Sequence, residues 1–160
     1  MATDLRAVLK ALADQHVEFV IIGGVALVAS GSSRVTEDLD LCYGRSKENL
    51  SRLASALAPF RPTLRGAPPE LPFVLDAQSL RSGLNFTLST TAGDLDLLGE
   101  VPGVGTFAET SKDAVEVELL GCRVLIMSLD ALERSKRAAG RAKDLLDLAE
   151  IRELRKQQRG

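Results

Sequence analysis

Phe19-Val20-Ile21-Ile22-Gly23-Gly24, separated by thirteen residues from Asp38-Leu39-Asp40-Leu41, is the stretch on which the reading of this chain turns. Four large apolar residues ending in a double glycine read as a buried strand that turns sharply, because glycine admits backbone angles closed to other residues. In a strand, residues i and i+2 share a face, which puts Asp38 and Asp40 on one side and Leu39 and Leu41 in the core. Paired carboxylates on a strand otherwise suited to burial are costly unless a cation compensates them. The same pattern recurs at Asp94-Leu95-Asp96. The two acidic strands must lie next to each other for the pairs to meet.

Outward from these strands, Leu5, Val8, Leu9 and Leu12 repeat at helical spacing, behind Thr3-Asp4 as the opening. Val17–Ile22 is the first strand, residues 25–30 a short Ala-rich helix, and Thr36–Tyr43 the second strand. Ser46 is placed to cap a helix with Leu50, Leu53, Ala54 and Leu57 on one face. Residues 59–72 hold five of the six prolines and read as irregular loop. Phe73–Leu75 is expected as a short edge strand and residues 76–83 as one or two helical turns. Leu84–Ser89 and Leu95–Leu98 form a hairpin around Thr90-Thr91-Ala92-Gly93. Residues 101–105 read as loop, and Val115–Leu120 with Arg123–Met127 as a second hairpin about Gly121. Ser128 caps a helix to about Ala138, Gly140 ends it, and a last helix runs from Arg141 to about Lys156. The order implies an α/β (α+β) domain, a mixed sheet with flanking helices, spanning 1–160, with its core at about 15–127 and C-terminal helices at 128–157.

With 160 residues, 45% hydrophobic and 26% charged, the chain has ordinary globular composition. Aromatics are only 4% and Trp is absent, which argues against stacking platforms for single-stranded nucleic acid. The N-terminus lacks the basic and apolar regions of a signal peptide, and the longest apolar run is interrupted by Gly-Gly, so the expectation is a cytoplasmic protein with no membrane contact. Cys42 and Cys122 lack metal spacing and read as reduced, buried thiols. His16, the only histidine, reads as a solvated turn residue. The net charge of −2 is unevenly spread: residues 134–160 hold nine Lys/Arg against four Asp/Glu. Such a basic end can attract a polyanion, or it can be the outer face of a solvated helix.

Carboxylates on neighbouring strands suit phosphoryl transfer, which requires neutralising a triphosphate and the attacking oxygen. Mg2+ prefers oxygen ligands and retains several waters, so two or three aspartates suffice. Asp38 and Asp40 offer two, and Asp94/Asp96 a third. Gly23-Gly24 at a strand-to-helix turn lets backbone N–H groups approach phosphate. Lys136 and Arg141 on the C-terminal helices are placed to meet the distal phosphates.

Gly23-Gly24, Arg34-x-Thr36-x-Asp38-Leu39-Asp40-Leu41, the stretch Gly93-Asp94-Leu95-Asp96 through Gly103, and Ser128-Leu129 with Lys136 and Arg141-x-Lys143-Asp144-Leu145 together resemble the DNA polymerase β-type nucleotidyltransferase superfamily. Within it they are most similar to small bacterial AbiEii-like nucleotidyltransferases, many of them members of toxin–antitoxin pairs. The resemblance spans about residues 15–150. It implies Mg2+ (or Mn2+) held by Asp38, Asp40 and Asp96, with Asp96 also activating the acceptor hydroxyl and Asp94 the alternative third carboxylate. It implies an NTP, such as ATP, bound through Gly23, Gly24, Arg34, Thr36, Lys136, Arg141 and Asp144. Many relatives carry Gly-Ser at the turn; here Gly24 supplies no hydroxyl. The implied activity is transfer of a nucleoside monophosphate to RNA, such as a tRNA 3′ end, as a toxin. The alternatives are nucleotidylation (AMPylation) of a cognate protein partner as an antitoxin-type enzyme, and a non-catalytic nucleotide- or partner-binding module. The short chain further implies a separate subunit or a second copy, a homo-oligomer, to recognise a large acceptor.

Overall fold

The computed structural model describes residues 4–31, 38–68 and 70–159. Helix α1 (Leu5–Asp14) starts at Asp4, whose carboxylate accepts from the Ala7 N–H at 3.2 Å. It leads into β1 (Phe19–Ile22), buried along its whole length. Helix α2 (Gly23–Ala29) begins on the first glycine, two residues earlier than expected. Strand β2 (Leu39–Tyr43) follows, and α3 (Lys47–Leu57) opens on the Ser46 hydroxyl, which accepts from Asn49 N–H at 3.2 Å.

The proline-rich segment is more ordered than expected. It contains a 3-10 turn at Ala58–Phe60 and a two-residue strand, β3 (Thr63–Leu64). Phe73–Leu75 is not a strand; Thr63–Leu64 takes the sheet edge instead, pairing with β4. Helix α4 (Ala77–Ser82) has a capping box at Asp76 and Ser79. The hairpin β4 (Asn85–Thr90) and β5 (Gly93–Leu98) turns over only two residues, so Asp94 lies within the strand. Residues 100–106 are a second correction: they form a small hairpin of β6 (Glu100–Val101) and β7 (Gly105–Thr106) rather than plain loop. Helix α5 (Phe107–Lys112), which the sequence reading missed, joins it to β8 (Val115–Leu119) and β9 (Cys122–Ile126). Helices α6 (Leu129–Ala139) and α7 (Ala142–Arg159) close the chain.

Among the described residues seven strands make one mixed sheet in the order β3-β4-β5-β2-β1-β9-β8. At its centre β2 runs antiparallel to β1 and parallel to β5. The expected mixed sheet with flanking helices is therefore the observed architecture. Leu39 and Leu41 on β2 and Leu95 and Leu97 on β5 are fully buried in one cluster with Leu9 and Leu12 of α1 and Leu50 and Leu53 of α3. Alternation along the strands sends Asp40 and Asp96 to the opposite face. The side chain of Asn49 fixes β1, β2 and α3 to one another: its Oδ1 accepts from Glu18 N–H at 2.7 Å and its Nδ2 donates to Gly44 C=O at 2.7 Å.

Candidate active site

The parallel register sets Asp40 on β2 directly beside Asp96 on β5, and the antiparallel register sets Ile22 opposite Asp40. The two acidic strands that lie far apart in sequence are thus sheet neighbours. Their carboxyl groups share a hydrogen bond, and Asp40 is pushed up to about 7, chiefly by burial and then by the charges of Asp96 and Asp38. Asp38 precedes β2 as an exposed residue rather than extending the strand, yet it lines the same cavity. Gly23 stands against them with φ at +68°, and a Cβ there would come within 2.3 Å of Asp40 Oδ2. The first glycine is thus required to seat the aspartate, a role the sequence reading gave to phosphate approach.

The cavity measures about 400 Å3. It is lined by Asp38, Asp40 and Asp96, by Val101 and Pro102 of the small hairpin, and by Ser135, Lys136 and Arg141. Gly103 brings the hairpin down onto α6: its φ is +80°, and a Cβ there would lie 2.6 Å from the Arg134 carbonyl oxygen. Lys136 reaches the cavity from α6, held by Asp147 at 3.0 Å and Asp144 at 3.6 Å on α7. Arg141 donates to Asp144 from its backbone N–H at 3.0 Å and from Nε at 2.9 Å. The Arg141 guanidinium holds the Asp144 carboxyl below its ordinary range.

Of the residues read from sequence, the structure gathers Gly23, Asp38, Asp40, Asp96, Lys136 and Arg141 around one cavity. Asp144 is buried and does not line it; it acts on the site through Lys136 and Arg141. Gly24 is likewise not on the lining, and Arg34 and Thr36 lie outside the described residues. Asp94 sits on the Asp96 face of β5, with Oδ2 at 3.5 Å from Arg65 Nε. Two participants were missed. Asp147 follows Asp144 by three residues, a spacing that puts both on one helix face and was open to reading. Arg65, whose Nη2 donates to Asp96 Oδ1 at 2.9 Å, gave no periodic or motif signal in its proline-rich surroundings.

The donor set suits a hard divalent cation. It is all carboxylate oxygen, and both the burial that chiefly raises Asp40 and the neighbouring charges of Asp96 and Asp38 are costs that a cation relieves. Among the described residues no three carboxylates converge as a ready-made metal cluster. Asp96 is instead engaged by Arg65, while Asp40 and Asp96 remain close enough to hold an ion together.

No protein-family model matches the sequence, and no curated protein does. Solved structures do. The crystal structure of the lincosamide antibiotic adenylyltransferase LnuA, lincomycin-bound, is similar over 96% of this chain and 98% of its own, with a TM-score of 0.60 at 14% identity. The antibiotic-resistance factor ANT(2'')-Ia matches over 97% and 89%, with a TM-score of 0.54 at 18% identity. An antigenic nucleotidyltransferase-like protein from Paracoccidioides brasiliensis matches over 94% and 77%, with a TM-score of 0.58 at 14% identity. The chain therefore has the nucleotidyltransferase fold. Among the described residues no helix is long and apolar enough to cross a membrane.

Proposed function

We propose that the protein is a Mg2+-dependent nucleotidyltransferase that moves a nucleoside monophosphate from an NTP to an acceptor hydroxyl and releases pyrophosphate. The observation that carries this reading is the register of β2 against β5, which sets Asp40 beside Asp96 at a cavity shared with Lys136 and Arg141. Fold alone does not assign an activity; what supports the reading is that acidic and basic side chains line the same cavity. Asp38, Asp40 and Asp96 would hold Mg2+ (Mn2+ as a substitute), which supplies charge neutralisation on the triphosphate when bound. Lys136 and Arg141 line the same cavity as the carboxylates and would bind the β- and γ-phosphates. Asp96 would take the proton of the acceptor hydroxyl as its oxygen bonds to the α-phosphorus; the bond to the β-phosphate breaks and pyrophosphate leaves with that electron pair.

The acceptor expected from the sequence is RNA, such as a tRNA 3′ end, in an AbiEii-like toxin with an antitoxin partner. Part of the basic surplus that supports it is engaged within the fold. Arg137, Arg152 and Arg155 all pair with Glu133, Arg155 also with Asp130, and Lys136 and Arg141 with α7 carboxylates. A second acceptor class, a small hydroxylated molecule, is supported by the likeness to LnuA, an antibiotic adenylyltransferase of matching extent. Nucleotidylation of a partner protein is the remaining acceptor class. Incubation of the purified chain with Mg2+ and each labelled NTP, against tRNA, the genomic-neighbour protein and a lincosamide in separate reactions, assigns the acceptor. Loss of all transfer in Asp38→Asn/Asp40→Asn with the fold intact is the expected result; full transfer by that variant removes the proposed centre. Tight NTP binding without turnover on any acceptor would point to a binding module.

A further inference from the structure

Arg65 makes no contact that the transfer reaction uses, yet it holds the carboxylate the reaction most needs. It sits just past the two-residue edge strand β3, with its backbone N–H donating to the Thr87 carbonyl at 2.9 Å. Its Nη2 donates to Asp96 Oδ1 at 2.9 Å and to the Leu88 carbonyl at 2.7 Å. Its Nε is buried without a hydrogen bond, 3.5 Å from Asp94 Oδ2. One guanidinium therefore lies between two carboxylates on the same face of β5, hydrogen-bonded to one and within ion-pair but not hydrogen-bond reach of the other.

Resting on the metal-binding reading above, we propose that Arg65 is a built-in counter-cation for Asp96, which it releases towards Asp94 when a divalent ion binds. Both positions draw on the donor fork of one side chain, so the exchange needs only a small shift of a guanidinium on a short edge strand. The need for two acidic residues on β5 then follows: Asp96 serves the ion, and Asp94 receives the arginine. Arg65 and Asp94 are positioning residues, and the affinity for the ion is set partly by their exchange.

Mn2+ binding, read by electron paramagnetic resonance without nucleotide or acceptor, tests this directly. Arg65→Gln should bind Mn2+ more tightly by roughly fivefold, the size of one partly exposed ion pair. Asp94→Asn should weaken binding in the wild-type background and lose most of that effect in the Arg65→Gln background, because Asp94 acts on the ion through Arg65. Simple charge repulsion predicts instead that the two effects add. Equal weakening by Asp94→Asn in both backgrounds, or no gain in Arg65→Gln, overturns the proposal while leaving the metal site standing. Absence of Mn2+ binding by every variant, the wild type included, overturns the metal reading and this inference with it. Arg65→Met, of similar length, repeats the measurement should the Gln variant not fold.

Discussion

Gly23 is constrained twice, by its backbone and by its neighbour. Its φ of +68° is one that L side chains rarely adopt, and a methyl group there would lie 2.3 Å from Asp40 Oδ2. Gly23→Ala should cost about 1–3 kcal/mol through the backbone alone and push Asp40 out of line with Asp96. Thermal melts and Mn2+ titration check it together: the expected variant melts lower and binds the ion weakly, whereas Gly24→Ala, off the cavity lining, keeps ion binding near that of the wild type. The alternation of acid and leucine made this site legible, since Asp-Leu-Asp in a strand fixes which side chains face the core. What the sequence could not reveal was that the glycine serves the aspartate, because a contact between residues 23 and 40 depends on strands that meet only after folding.

Two glycine- and asparagine-based joints hold the elements in the geometry the site requires. Asn49 satisfies Glu18 N–H and Gly44 C=O from a fully buried position. Asn49→Ala strands both groups and should cost about 2–4 kcal/mol in a urea denaturation series. At Gly103 the small hairpin rests on α6, where an added methyl would meet the Arg134 carbonyl oxygen at 2.6 Å. Gly103→Ala should therefore lift Val101 and Pro102 from the cavity and raise the apparent dissociation constant for NTP with a smaller loss of melting temperature. Caps and periodic helices were readable because their signals are local: Ser46 and Ser128 each accept from the N–H three residues on. The sheet edge was not. Phe73–Leu75 has the more strand-like composition, but strand pairing is decided by what the chain can reach, and Thr63–Leu64 lies in register with Ser89 and Leu88. The same limit hid Arg65, whose partner Asp96 lies 31 residues away on another strand.

For the molecule as a whole, the carboxylate pair makes folding stability depend on pH in a direction opposite to that of most aspartates. Asp40 is raised from an ordinary 3.8 to about 7 by burial and by Asp96 and Asp38. Between those values the folded state binds more protons than the unfolded chain, so the free energy of unfolding falls as pH rises. The contribution is fully present below about pH 4 and lost on passing about pH 7. Asp144 works in the usual sense: lowered by Arg141, it contributes stability at neutral pH that is lost as the solution becomes acidic. The metal-free protein should thus melt at progressively lower temperature from pH 5 to pH 7, and Asp40→Asn should flatten that slope. Bound Mg2+ requires the ionised pair and displaces the shared proton, so its stabilisation grows over the same interval. Scanning calorimetry at several pH values, with and without saturating Mg2+, resolves both effects. A metal-free melting temperature that does not fall over that range would mean that Asp40 is ionised throughout, and that the two strands do not bring their carboxylates into contact.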